Sequence, residues 1–509
     1  MGGRRYRRGN LLVDSKHVNC LDGQEHQSMT KLLTAGVALF WISACSGFPA
    51  LAEESIKLTI DASQRIGVIR PLHGVNGGPL NYGETLDLGA HWRELNIPLT
   101  RLHDCEWPGT DVVDMHVVFP SLKADPAQAA SYDFARTDDY LAAIAATKTP
   151  IVYRLGESIE HARQKRHVHP PADYDAWAAA CLGIIRHYNA GWAEGFHHNI
   201  RYWEIWNEPE NRPNCWTGTD DDYYRLYATA ARQIKAEFPQ LLVGGPAVGA
   251  TGEFNSAGEW EPTEFLRGFV QHAREEHLPL DFFSWHTYTN DPLIYARKAH
   301  AMRRWLDDQG FAQTEIHLNE WNYLPDNDWG PMLAKDGGQI RADWYARMAG
   351  AEGAAFTAAV LASVQDSPVD AANYFTGDSG PFGLFTRDGV PKKTFHAMRA
   401  FRLLLDTPRR VAVSGSQDGQ LIAIAGANDA RDELTLLISH YGGPAKSLQV
   451  AWENLPWNSA TVCQVHRLDE RHNLVAEEPQ TLAPDSASVK IPTTAPSVLL
   501  VRLRPVPPK

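Results

Sequence analysis

The sequence predicts an α/β protein, a (β/α)8 TIM barrel followed by a C-terminal β-sandwich domain. Three observations carry that expectation. From residue 66 to 405, eight short apolar runs alternate with helix-patterned stretches, as in a parallel barrel with crossover helices. From residue 406 the pattern changes to short alternating runs broken by turn residues, as in antiparallel strands. The first run is followed by "GVNGG" (74–78), which lacks the GxGxxG spacing of a dinucleotide-binding open sheet.

Taken in order, "IKLTIDAS" (56–63) is strand-like, and residues 53–65 are expected to join the sandwich. The barrel strands are expected at "IGVIRPLHGVN" (66–76), "PLTRLH" (98–103), "PIVYRLG" (150–156) and "RYWEIWNE" (201–208). Four more follow at "LLVGGPA" (241–247), "DFFSWHTY" (281–288), "EIHLNE" (315–320) and "AAVLASVQD" (358–366). Between them, "DYDAWAAACLGIIRHYNA" sets Trp177, Cys181, Ile184 and Ile185 at helical spacing. "TDDDYYRLYATAARQIKAEF" opens with a Thr219 cap and three aspartates, favourable at a helix N-terminus. Beyond 406, "QLIAIAGAN", "ELTLLISHYGG", "SLQVAWENL", "ATVCQVHRLDE" and "SVLLVRLRP" read as sandwich strands.

The first 52 residues differ from the rest. A basic, aperiodic stretch precedes "MTKLLTAGVALFWISACSGFPALA", whose apolar run and small residues read as a secretory signal beginning near Met29 and cleaved after Ala52. The expected location is therefore secreted or periplasmic. Ile42-Ser43-Ala44-Cys45 also resembles a lipoprotein processing site, so an outer-membrane lipoprotein anchored at Cys45 is the alternative. The apolar run is short for a membrane span. Without residues 1–52, 42 Lys/Arg face 58 Asp/Glu, a net charge of −16. That balance argues against nucleic acid or an anionic membrane as partner. Cys105, Cys181, Cys215 and Cys463 then remain, with no CxxC; free buried thiols and three complete disulfide pairings all stay open.

In such a barrel, functional groups gather at the C-terminal ends of the strands. The expected fourth strand ends in Asn207-Glu208 and the seventh in Asn319-Glu320, nearly opposite one another. Two facing carboxylates suit glycosidic bond hydrolysis, one protonated to help the leaving oxygen depart, the other ionised. One strand-end glutamate alone would read as the partner of a loop cation; two matched Asn-Glu ends beside tryptophan favour the cleft.

"WEIWNEPE" with the later "LNEW" resembles retaining glycoside hydrolases whose acid/base sits on strand four and nucleophile on strand seven. With "TRLHD", "DFFSWHTYT" and "GLFTRDGVPKKTFHAMRAF", the layout is similar to glycoside hydrolase family 39, the β-xylosidase and α-L-iduronidase family. The resemblance runs from about residue 56 to the C-terminus. It implies Glu208 as acid/base, Glu320 as nucleophile, Asn207 on the sugar 2-hydroxyl and Tyr288 hydrogen-bonded to the nucleophile. It also implies His103 and His286 along the subsite of the cleaved sugar. Arg101 shares strand parity with His103 and would hold Glu320 anionic, or form a buried structural ion pair. The third strand departs from the family's pattern with "YRLGES", where Glu157 would touch a sugar hydroxyl.

Other features carry less. "HARQKRHVH" (161–169) reads as a polar loop over the barrel mouth rather than a metal site, and Asp220–Asp222 as helix capping. Trp216, Trp321 and Trp329 follow catalytic strands and are candidate sugar platforms, with packing as the alternative. The sequence calls for no cofactor or metal. It supports a retaining, exo-acting β-xylosidase on xylo-oligosaccharides, with loops 104–136 and 157–172 closing the pocket. An α-L-arabinofuranosidase, β-galactosidase or uronidase on the same fold is the alternative, with Arg154 the one extra cation for a uronide. A non-catalytic carbohydrate-binding barrel is the rival from another class.

Overall fold

The computed structural model describes residues 55–82 and 85–507. The expected leader and the alternative anchor at Cys45 lie outside the described residues. A closed parallel barrel forms from Gly74–Asn76, Thr100–Leu102, Ile151–Leu155, Tyr202–Ile205, Leu242–Val248, Phe282–Thr289, Glu315–Tyr323 and Ala371–Tyr374. These are barrel strands one to eight.

Seven of the expected segments each overlap one barrel strand, three of which run past the expected end; the eighth does not. "AAVLASVQD" lies mostly in a helix, Ala351–Ser363, and the closing strand is Ala371–Tyr374. The helix is buried along nearly its whole length, between the barrel and the second sheet. A fully buried apolar run has no polar face to reveal its period, so helix and strand look alike. Six alanines in its thirteen residues favour the helix. The first expected segment also divides. Residues up to Val68 belong to a long strand of the second sheet, and the barrel strand begins only at Gly74. Pro71 between them has no amide proton for a continuous ladder.

The second sheet holds ten strands. Ser55–Val68 pairs antiparallel with Arg409–Ser414 and parallel with Ser447–Glu453, so the N-terminal segment completes the C-terminal module. The sheet curls around its own core, which includes Leu58, Ile60, Leu436, Ile438, Val450 and Leu499. Its central strands are buried on both faces. On Leu434–His440 and Ser497–Pro505, Leu436, Ile438, Leu499 and Val501 point into that core, while Leu437, Val498 and Leu500 pack with the barrel's core. Period-two alternation delivers the two sets to opposite sides. Ser439, on the barrel-facing side, donates to the Ala355 carbonyl at 2.7 Å. Each fully buried leucine or valine contributes roughly 1.5–3 kcal/mol, so the two modules share one continuous hydrophobic seam. Cys105, Cys181, Cys215 and Cys463 are all free and buried.

Candidate active site

Strand four is apolar except for Glu204, and after Ile205 the chain turns sharply out of the sheet. Trp206 and Glu208 both take left-handed backbone angles, at φ of 71° and 43°. Such angles cost non-glycine residues roughly 1–3 kcal/mol each and persist only where the surroundings enforce them. Here the Trp206 amide donates to the Leu155 carbonyl at 2.7 Å and the Glu208 amide to the Ala247 carbonyl at 3.1 Å. The Trp206 ring leaves the cleft and packs on Trp177 and Trp216. It lies so close to strand three that a Cβ on Gly156, itself at φ 128°, would sit 2.6 Å from it. The turn thus hides the tryptophan and turns Asn207 and Glu208 to the cleft.

Strand seven uses a different device. Trp285 on strand six lies opposite Leu318, but His286 lies opposite Glu320, so Asn319 is one residue extra. This bulge breaks the alternation. Asn319 reaches inward to Glu204, and Glu320 also faces inward, lining the cleft. Trp321 is thereby sent outward. It is fully buried, edge-on to Tyr295 and Tyr374, and does not line the cleft. The expectation that Trp321 meets sugar is corrected on this point. Trp216 is likewise fully buried, with its indole N–H donating to the Thr219 carbonyl; of the three tryptophans only Trp329 lines the cleft.

The cleft has a volume of about 490 Å³ and is lined by His103, Asp104, Asn207, Glu208, His286, Tyr288 and Glu320 among others. One oxygen of Glu208, one of Glu320 and a ring nitrogen of His286 all lie within 4.8 Å of one another. His286 Nδ1 sits 2.7 Å from Glu208 Oε1 and 3.7 Å from Glu320 Oε2. The Tyr288 hydroxyl donates to Glu320 Oε1 at 2.7 Å. Arg101 is fully buried below the cleft floor and does not line it. Its Nη1 reaches Glu320 Oε2 at 3.0 Å, its Nη2 reaches Asn207 Oδ1 at 2.6 Å and its Nε reaches Glu204 Oε2 at 2.6 Å. Arg101 therefore positions cleft residues instead of touching a ligand.

The electrostatics follow from burial and partners. Burial acts to raise the Glu208 pKa, but the hydrogen bond and charge of His286, helped by donation from Asn211, outweigh it and hold the group below its ordinary value. Burial alone would lower His286; the charge of Glu320 and the Glu208 hydrogen bond outweigh it and raise its pKa. Both shifts favour the ion pair, with the proton on the imidazole. His103 is pushed well down by burial and by Arg101, so it is neutral. Asp104 is pushed up to about 8 by burial, then by the charges of Asp111 and Glu320.

Glu157 is turned away from the cleft. It accepts from the His116 amide at 3.1 Å and sits 2.6 Å from His116 Nδ1. The expectation that it touches a sugar hydroxyl is corrected, because the histidine in loop 104–136 occupies its carboxylate. Arg154 is fully buried and pairs with Asp114 at 2.6 Å. Asp114, His116 and Glu157 form one cluster whose spacing could hold a metal ion, and Glu208, His286 and Glu320 form the other among the described residues. In both, the ligand atoms are already paired with each other or with an arginine. His161, from the loop read as a polar cover, lines the cleft, while His167 stacks on His116.

Sequence reasoning passed over Glu204, which is fully buried, and Phe375 and Phe382, which line the cleft beyond strand eight. The signal for Glu204 was present: an acidic side chain inside "YWEIW" must find a buried partner. The two phenylalanines carry no such signal.

Residues 109–447 match the profile of glycosyl hydrolases family 39. A beta-xylosidase of Geobacillus stearothermophilus is 26% identical over 298 residues, 51% of this chain and 53% of that protein. A beta-xylosidase of Caldicellulosiruptor saccharolyticus is 25% identical over 337 residues, 60% of this chain and 62% of that protein. The chain thus spans little more than half the length of these curated relatives. Among solved structures, a glucosidase from Croceicoccus marinus superimposes with a TM-score of 0.72 at 26% identity, covering 89% of this chain and all of that one. A monomeric beta-xylosidase from Caulobacter crescentus, 19% identical, gives 0.65 over 89% of this chain and all of that one, a likeness of fold. With two thirds of its length matched by the family's profile and its barrel superimposing on solved structures, the chain belongs to glycosyl hydrolases family 39.

Proposed function

We propose that the protein is a retaining exo-β-glycosidase for neutral sugars, with β-linked xylose at the end of xylo-oligosaccharides as its first substrate. The observation that carries this reading is the approach of Glu208 and Glu320, with oxygens within 4.8 Å of each other. Retaining pairs stand about 5–5.5 Å apart and inverting pairs about 6.5–9.5 Å, because the latter must admit a water. Glu320 attacks the anomeric carbon as the bond to the leaving oxygen breaks, and Glu208 gives that oxygen its proton. Water activated by Glu208 then releases the sugar with its configuration kept. Asn207 takes the 2-hydroxyl in this reading: Arg101 holds its carbonyl oxygen at 2.6 Å, and among the described residues its N–H2 has only the weak acceptor Cys215 Sγ at 3.9 Å to give up. When substrate excludes water, separated charges become costly, so the shared proton moves along the 2.7 Å His286–Glu208 contact to the carboxyl.

The surroundings favour a neutral glycone over a uronide. Both central arginines are buried and engaged with carboxylates of the protein, so neither is offered to a ligand carboxylate. A gluco-configured sugar is the second reading. It is favoured by a side chamber of about 280 Å³ past Asp104, Phe375 and Phe382, whose lining includes Asn81 and Asp378. The relatives described as beta-xylosidases and as a glucosidase support these two readings in that order. Export is read from the leader sequence; among the described residues no helix is long and apolar enough to cross a membrane.

A panel of aryl glycosides, followed by NMR in the first minutes, tests the proposal. The expected result is cleavage of the β-xyloside with the β-anomer released first; an α-anomer first, or no turnover on any glycoside, would overturn it. Glu208→Ala should lower kcat/KM on phenyl glycosides by about 10²–10⁴-fold, with azide restoring turnover on activated substrates.

A further inference from the structure

The cleft carboxylates rest on a buried layer that no substrate reaches. Arg101 on strand two and Glu204 on strand four are both fully buried and meet inside the barrel, with strand three between their strands. Glu204 holds Arg101 Nε with Oε2 and accepts from the Asn319 side chain with Oε1. Asn319 is the bulge residue whose insertion sends Glu320 into the cleft. The first strand adds Asn76, which accepts from Arg101 Nη1 at 3.3 Å and donates to the Asn319 carbonyl at 3.0 Å.

A guanidinium facing one carboxylate favours a two-pronged pairing that would occupy both oxygens. Here Glu204 claims the Nε edge. One N–H is left for Glu320 Oε2 and one for Asn207 Oδ1, while Glu320 Oε1 is free for Tyr288. The same carboxylate divides the field of Arg101 between two anions. Without it, the full charge of Arg101 would fall on Glu320 and weaken it as a nucleophile.

We propose that Glu204 is a positioning residue of this site: through Arg101 and Asn319 it sets the orientation and the nucleophilic strength of Glu320 and couples it to Asn207. The inference rests on the two-carboxylate reading given above. It also assigns the acidic residue within strand four a role separate from the two glutamates that face the cleft.

Glu204→Gln tests it by keeping the shape and removing the charge. The cation's field then acts undivided on the cleft, so both limbs of the pH profile of kcat/KM move to lower pH, by about one unit. The other titratable groups facing the cluster are unchanged: Arg154 from strand three, His103 and Asp104 from strand two, Glu208 from strand four, His286 and Tyr288 from strand six. A weaker nucleophile slows attack, so kcat/KM on a phenyl glycoside falls by about 10–100-fold. It is also a better leaving group, so kcat on a dinitrophenyl glycoside, limited by release of the glycosyl-enzyme, holds or rises. Unmoved limbs, or an equal fall in both steps, would overturn the proposal. Should the variant not fold, Glu204→Asp keeps the charge with a shorter reach. Its limbs should stay at wild-type pH while phenyl-glycoside turnover drops; wild-type behaviour in both would refute the assignment. Wild-type turnover is the control that separates the readings. Its absence fails the glycosidase proposal, whereas turnover with an unshifted Glu204→Gln fails this one alone.

Discussion

In the second sheet, Leu434–His440 and Ser497–Pro505 stay in register without a break from end to end. At the barrel mouth, strands five to eight slip register at Ser284/Trp285, Trp285/His286 and Leu318/Trp321 within a few residues of one another. The sheet's own core is built from apolar side chains such as Leu58, Leu436, Val450 and Leu499. The layer below the mouth buries Arg101, Glu204 and Arg154 completely. Burying ions costs several kcal/mol each before pairing, and a well-packed apolar substitute is often as stable or more so. The mouth's network is therefore poorly explained by stability. It is well explained by alignment: the bulge at Asn319 turns Glu320 into the cleft and Trp321 out of it.

The sharpest way to break this comparison is to delete a group at the mouth. Glu320→Ala removes the attacking oxygen and should lower kcat by about 10⁴–10⁶-fold. It also leaves one N–H of Arg101 and the hydroxyl of Tyr288 without their carboxylate. Thermal unfolding should shift only slightly, since the cleft is open to water that can replace the lost partner. A large drop in Tm together with partial activity would mean that the carboxylate serves packing instead.

The mirror experiment belongs to the sheet. Leu499 is fully buried in the sheet's own core. Leu499→Ala should destabilise the protein by about 2–5 kcal/mol, read by denaturant unfolding, with kcat per folded molecule unchanged. A changed kcat would show that the sheet's interior reaches the active site, and the two regions would no longer be separable.

The same contrast governs what the sequence discloses. The sheet was legible because its short apolar runs are broken at regular intervals by turn residues, as around "ELTLLISHYGG" and "SVLLVRLRP". Most barrel strands were legible for the same reason, and Asn207, Glu208 and Glu320 because they end such strands. What failed lies where periodicity is suspended. Ala351–Ser363 has no polar face, and the bulge at Asn319 exchanges the directions of Glu320 and Trp321. Nothing in "LNEW" announces an extra residue, so the tryptophan was placed at the sugar by simple adjacency. Glu157 failed for a different reason: its partner His116 comes from a distant loop, and sequence separation hides such pairs.

A last, smaller change probes how tightly the mouth is set. A Cβ built on Gly249, at the end of strand five, would lie 2.7 Å from Glu208 Oε1, closer than real side chains approach. Glu208 is already committed, with Oε1 against His286 and Oε2 accepting from Asn211 at 2.9 Å. Gly249→Ala therefore cannot be absorbed by a free rotation; the carboxylate must move or the strand-five loop must retreat. Displacing a reacting group by about 1 Å can cost about 100-fold, so kcat/KM on phenyl glycosides should fall by up to that factor. Substrates with excellent leaving groups need little proton donation and should be nearly unaffected. The ratio of the two rates isolates Glu208 from any general damage to the cleft. An equal loss on both substrates would place the clash elsewhere and show that the mouth tolerates movement of this carboxylate.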